Sequence, residues 1–255
     1  MAWPQYALAV AGLGFAVGVL VGATGIGGGS LLAPVLIFVL RLNPFVSVGT
    51  DLFVSAITKI VGAIVHRRAN NVDTALALPL CIAGVAGAVL GTVLLATMKY
   101  HVDVVPAQTV LKRIIGIALL VCAAFVAVSL NGRWRFTVRN EGRYAAVIGT
   151  LVALVTTITG VGVGSLSVPS LYLISGRRAM TLVVGTSLVF GAVVTALAAV
   201  AHVALHDVDY ALSGLLLVGG VPGVWLGSRI AARASRYLRP AIAVLLAVVG
   251  VKLVL

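Results

Sequence analysis

Two ionisable residues, Asp51 and Lys59, stand eight positions apart in an otherwise apolar stretch. A charge inside a segment long enough to cross a membrane is costly, so it faces a cavity, a partner or a polar pathway. On a straight helix the two lie ~12 Å apart and about 80° out of phase, so they need not pair with each other. Lys59 can attract or neutralise an anion, and Asp51 can carry a coupling proton or restrain Lys59. The competing account is a structural ion pair, or for Asp51 a helix cap near the interface.

A second kind of chemistry belongs to the backbone. Gly25-Ile26-Gly27-Gly28-Gly29-Ser30, followed by Pro34, returns as Gly160-Val161-Gly162-Val163-Gly164-Ser165, followed by Pro169. A helix that begins at such a break presents unpaired N–H donors and roughly half a positive charge. Glycine lets the chain turn sharply there and approach a ligand closely. In lipid those N–H groups must face protein, water or a bound anion. The candidate anion-binding set is therefore Gly25, Gly27, Gly28, Gly29 and Ser30 with Gly160, Gly162, Gly164 and Ser165. The hydroxyls of Thr50, Thr186 and Ser187 and the Lys59 ammonium join them, with Asp51 as the candidate proton-coupling group. Close helix packing is the rival reading of the glycines, and it is the one adopted for Gly87-x-x-x-Gly91 and Gly223-x-x-x-Gly227. Gly25-x-Gly27 brushes against a dinucleotide fingerprint, but no strand–turn–helix context or trailing acidic residue follows.

These residues sit in a duplicated unit. Gly49-Thr50 recurs as Gly185-Thr186, His66 as His202 and Val72-Asp73 as Val208-Asp209; Gly84, Gly87 and Gly91 recur as Gly220, Gly223 and Gly227. The offset is 135 residues through the glycine motif and 136 thereafter. A duplicated unit with a broken helix in each copy is the pattern of a secondary transporter. A mean hydropathy of +1.19 and 9% charged residues exclude an ordinary soluble domain, which carries about 25% charge. The pattern predicts spans near 5–23, 31–41, 45–66, 74–98 and 109–130, then 142–159, 166–176, 180–204, 210–231 and 238–255. Segments 31–41 and 166–176 reach only about half the bilayer.

The fold class expected is an all-α integral membrane protein of two inverted repeats. Each would hold a Gly-broken re-entrant or half-length helix pair plus three full transmembrane helices. The first repeat occupies 1–131, a polar linker 132–142 and the second repeat 143–255. With inverted copies, twelve Lys and Arg residues share one side, among them Arg67, Arg68, Arg143 and Arg178; five take the other: Arg41, Lys99, Lys112, Arg113 and Lys252. That bias puts the first side in the cytoplasm and the N-terminus outside, in a cell membrane. The residues before the first span lack the basic start of a signal peptide, so that span is expected to be retained.

The formal charge of +12 flanks spans and forms no continuous patch, so no nucleic-acid partner is expected. Cys81 and Cys122 lie inside apolar spans and suggest no disulfide, and the His and Cys residues form no recognisable metal set. No cofactor is implied. An intramembrane enzyme using Asp51 and His66 would need them in one centre, yet they lie about 22 Å apart on one helix. His66 and His202 end matching helices and read as interface residues compatible with the helix dipole. The partners expected are a small anionic substrate and the bilayer, and homo-oligomerisation is compatible with the pattern.

With the doubled Gly-x-Gly-x-Gly-Ser…Pro element, the Val-Gly-Thr-Asp/Ser blocks and the His…Val-Asp endings, the chain resembles the sulfite exporter TauE/SafE family of membrane permeases. The similarity covers nearly the whole length. Val48-Gly49-Thr50-Asp51 through Thr58-Lys59 to His66-Arg67-Arg68 looks like a subgroup with a charged first copy. The resemblance implies a transporter of sulfite, sulfonates or related small sulfur-containing anions, working by alternating access. Another small anion, or a non-transporting membrane partner protein, is the alternative. Val163 stands where the first copy has Gly28, and Ser167 where it has Leu32, so the two sites are not strictly symmetric.

Overall fold

Long apolar segments almost free of charge can satisfy their backbone in lipid only by coiling into helices. A computed structural model shows this for the residues it describes, 6–24, 29–101, 103–130, 138, 140–174 and 178–255. Among them run α1 (Ala7–Thr24), α2 (Gly29–Phe38), α3 (Pro44–Arg68), α4 (Thr74–His101), α5 (Val104–Leu130), α6 (Glu141–Thr159), α7 (Val163–Ile174), α8 (Met180–Ala204) and α9 (Tyr210–Val254). Seven segments are long and apolar enough to cross a membrane: α1, α3, α4, α5, α6, α8 and the first part of α9. The molecule is thus a multi-pass helical membrane protein. The linker expected over 132–142 falls mostly outside the described residues.

The half-length helices are present but begin earlier than the sequence predicts. α2 starts at Gly29 and α7 at Val163, with Pro34 and Pro169 inside them. At 1.5 Å per residue they extend about 15 and 18 Å. The end of α2 returns to where α1 begins, since Leu36 clusters with Val10 and Leu212 while Leu40 and Leu42 pack against the same group.

The last two spans expected from the sequence, 210–231 and 238–255, both fall within one helix, α9. α9 has 45 residues, including Pro222 and Pro240, and its final apolar segment is Pro240–Val254. A straight helix of that length would measure about 67 Å, twice a bilayer core, so its two arms follow different courses. The first arm lies on α1 and the second on α5, where Gly116 and Gly250 meet.

Glycine contacts fix how the helices run. Gly14, Gly18 and Gly22 abut the backbones of Leu216, Gly220 and Val224, so α1 and α9 lie side by side and parallel. Gly149 abuts Leu80, while Gly87 and Gly91 abut Thr150 and Leu154, which makes α4 and α6 the matching parallel pair. The first helix of each copy is thus packed on the other copy. At the centre α3 and α8 run antiparallel, with Lys59 at Gly191, Gly62 at Leu188 and His66 at Gly185.

Matched contacts join the copies. The Asp209 N–H donates to Thr50 Oγ1 at 3.0 Å, and the Asp73 N–H donates to Thr186 Oγ1 at 2.9 Å. Gly49 lies against the Asp207 carbonyl and Gly185 against that of Asn71. Each loop turns through a left-handed residue, Asn70 (φ 54°) or His206 (φ 58°). Each aspartate then caps the next helix: Asp73 Oδ1 accepts from Ala75 and Leu76, and Asp209 Oδ1 from Leu212. Two ion clusters also cross between copies. Arg178 bonds Asp73 and Glu141, both at 2.6 Å, and Lys99 bonds Asp207 at 2.7 Å. Partial burial of Arg178 opposes its charged form, but Glu141 and Asp73 outweigh it and hold the guanidinium above its ordinary pKa.

Candidate functional site

The two charged residues of α3 flank the second glycine break. Asp51 is fully buried, and its Oδ1 accepts the Ser55 hydroxyl at 3.2 Å. Its Oδ2 has no hydrogen-bond partner and lies against Gly160, where an added Cβ would stand 2.9 Å away. Two turns further along α3, the aliphatic stem of Lys59 crosses Gly191 of α8, where a Cβ would meet its Cδ at 2.9 Å. Val163, the first residue of α7, meets the same glycine. Asp51 thus stands where α6 ends and Lys59 where α7 begins. Lys59 is only 2% exposed and forms no ion pair or hydrogen bond among the described residues.

The break itself depends on glycine. Gly160 (φ 72°) and Gly162 (φ 126°) take conformations that L side chains rarely adopt. The Gly160 N–H closes α6 on the Thr156 carbonyl at 2.8 Å, and Thr159 Oγ1 accepts the Val161 N–H at 3.1 Å. Leu166 donates to the Gly162 carbonyl at 2.7 Å and so starts the α7 ladder. The N–H groups of Val163, Gly164 and Ser165 belong to the first turn, where no intrahelical acceptor exists. The α7 N-terminus, the buried stem of Lys59 and the buried Asp51 carboxylate therefore lie around three residues of irregular chain.

The remaining candidates divide. Ser165 Oγ donates to Cys122 Sγ at 3.0 Å, and Ser187 Oγ lies 2.6 Å from Ser167 Oγ. Thr50 and Thr186 hold the opposing loops. Residues 160–170 are all buried, so the second break is closed in this conformation. In the first copy Gly25, Gly27 and Gly28 lie outside the described residues, Gly29 opens α2, and Ser30 lines a groove of about 300 Å³.

Reading the sequence missed Ser55 and Gly191. Ser55 lies one helical turn beyond Asp51, a spacing at which side chains meet and which could have revealed it. Gly191 had no such signal, because only the tertiary crossing of α3 and α8 brings it to Lys59. His66 and His202 lie in the last turns of the matching helices α3 and α8, where both are buried, and His202 Nε2 lies 3.2 Å from the Thr157 carbonyl oxygen. Among the described residues no three His, Cys, Asp or Glu side chains form a metal-binding group.

The family model for the sulfite exporter TauE/SafE family matches residues 10–253. The chain belongs to the TauE/SafE family. The TauE/SafE chain is 32% identical over 253 residues to "Probable membrane transporter protein YjnA" of Bacillus subtilis, covering 95% of this chain and 97% of that protein. It is 25% identical to "Probable membrane transporter protein MJ0441" of Methanocaldococcus jannaschii, covering 95% and 93% of the two chains. A Xylella fastidiosa protein named "Probable membrane transporter protein" is 29% identical, with 92% and 89% covered. No solved structure matches the TauE/SafE chain. Family membership places the buried Asp51, Lys59 and glycine break in a family of membrane transporters.

Proposed function

We propose that this protein is a secondary transporter of a small sulfur-containing anion such as sulfite or an organosulfonate. It lies in the cell membrane with its N-terminus outside and works by alternating access between two inverted repeats. The observation that carries the reading is Lys59, buried against the start of α7, with Asp51 Oδ2 unpartnered at the other end of the same break. An anion held at the α7 N-terminus would be neutralised by Lys59 and by the helix dipole. Proton binding at Asp51 would couple its movement to a pH gradient. The antiparallel pairing of α3 with α8 and the matched Thr50–Asp209 and Thr186–Asp73 bonds support the inverted arrangement. They tie equivalent positions of the two copies about a common centre.

Flux of labelled sulfite and of a labelled short organosulfonate into proteoliposomes tests this. Lys59→Ala and Gly28→Leu are expected to lower uptake at least about tenfold, the scale of one lost charge-assisted contact. Asp51→Asn is expected to retain substrate exchange while losing its response to an imposed pH gradient. Unchanged flux in both Lys59→Ala and Gly28→Leu removes the site.

A further inference from the structure

Arg41, Lys112, Arg113 and Lys252 come from three separate parts of the chain: the turn after α2, the first turns of α5 and the end of α9. All four line one cavity of about 450 Å³, and no Asp or Glu side chain is among its described lining residues. None of them has an ion-pair partner among the described residues. The Lys252 ammonium rests 5.0 Å from the centre of the Phe38 ring. Phe38 and Lys252 also line the 300 Å³ groove that reaches Ser30, whose other walls, such as Pro34, Leu245 and Val249, are apolar. The two cavities therefore share a wall, and Lys252 belongs to both.

The ordinary account of such cations is that they anchor membrane topology. Cations that set orientation gather in the cytoplasm, whereas these four are among the five on the sparse side. The fifth, Lys99, is held by Asp207. Every unpaired cation of that group thus meets at one opening. Like charges without acidic side chains beside them repel, and walls of low dielectric focus their field into the cavity, which concentrates anions there. Beyond the opening, the polar side chains lining the groove among the described residues are Lys252 and Ser30, at its ends.

We infer that the basic cavity is the exterior mouth of an anion path, that Lys252 passes the anion into the groove, and that Ser30 ends it. The apolar walls select an anion with an aliphatic body, an alkanesulfonate type, over a bare hydrated oxyanion. This rests on the transport reading above and narrows its substrate class.

Cysteine accessibility tests it without requiring transport. Val249→Cys is made in a chain carrying Cys81→Ala, with Cys122 left in place because it is fully buried. In phosphatidylcholine vesicles it is exposed to a sulfonate-bearing and to a trimethylammonium-bearing methanethiosulfonate. The anionic reagent is expected to react about tenfold faster, within the range of electrostatic steering. Lys252→Gln with Arg113→Gln should bring the ratio close to one, and butanesulfonate should protect the cysteine where sulfate, a bare oxyanion inert to the reagent, does not at equal ionic strength. Equal rates, or no reaction, overturn the mouth; equal protection by sulfate overturns the aliphatic selectivity. Loss of the anionic preference once phosphatidylglycerol is added would assign the cavity to a lipid headgroup and also overturn the path. The expected labelling pattern without flux of sulfite or the organosulfonate would leave the mouth standing and remove the transport reading.

Discussion

At Asp51 the two carboxylate oxygens have different surroundings: Oδ1 takes the Ser55 hydroxyl, while Oδ2 takes none and abuts Gly160. The backbone there has φ 72° and a Cβ would stand 2.9 Å from that oxygen, so Gly160→Ala meets two penalties at once. The left-handed conformation alone costs about 1–2 kcal/mol, and displacement of the buried carboxylate adds to it. Gly12 of α1 is the natural control, because a Cβ there would meet nothing within 4 Å. Gly12→Ala is expected to stay neutral or to stabilise by up to about 1 kcal/mol, the helical preference for alanine. Thermal unfolding in detergent, read beside transport, checks both. Equal melting temperatures for the two variants would show that the break tolerates a side chain and that Asp51 is not held by it.

Among the elements, the loops after α3 and α8 do more than connect helices. Each presents a backbone N–H to a threonine of the opposing copy and then caps its own next helix. Thr50→Val and Thr186→Val should each leave a partly buried N–H without its threonine acceptor, at about 1 kcal/mol. Denaturation is expected to show losses within a factor of two of each other, and a loss confined to one variant would show the junctions to be unequal. These junctions also show what the sequence could and could not tell. Thr50, Thr186, Asp73 and Asp209 were visible as a repeated pattern, but their pairing across copies was not, because it joins residues 113 and 159 positions apart. Periodicity placed α3, α4, α6 and α8 nearly at their observed limits. It missed the early starts of α2 and α7, since Gly29 and Val163 are poor local signals for a helix that tertiary packing begins. It also separated the arms of α9 at the polar run 232–237, where the helix continues. The site was legible where charge is rare, at Asp51 and Lys59, and illegible at Gly191, which matters only because Lys59 crosses it.

For the whole molecule, contacts sort the described charges into two groups. Arg178 and Glu141 join Asp73, beside the loop that follows Arg67 and Arg68. Lys99 joins Asp207, and Arg41, Lys112, Arg113 and Lys252 meet at one cavity. Arg68 and Ala204 hold equivalent positions in the two copies, 136 residues apart, and both are exposed. Parallel copies would put them on the same face of the membrane; inverted copies would put them on opposite faces. In the orientation proposed from charge bias, the face of Arg68 is the cytoplasmic one. In a chain carrying Cys81→Ala, Ala204→Cys is therefore expected to react with an impermeant maleimide in intact cells. Arg68→Cys should react only after permeabilisation. Because the two sites differ in repeat number and not in local structure, the result does not depend on which helix carries the label. Labelling of both from one side would make the copies parallel, separate the two helix N-termini from a shared central site and deprive the basic cavity of its exterior position.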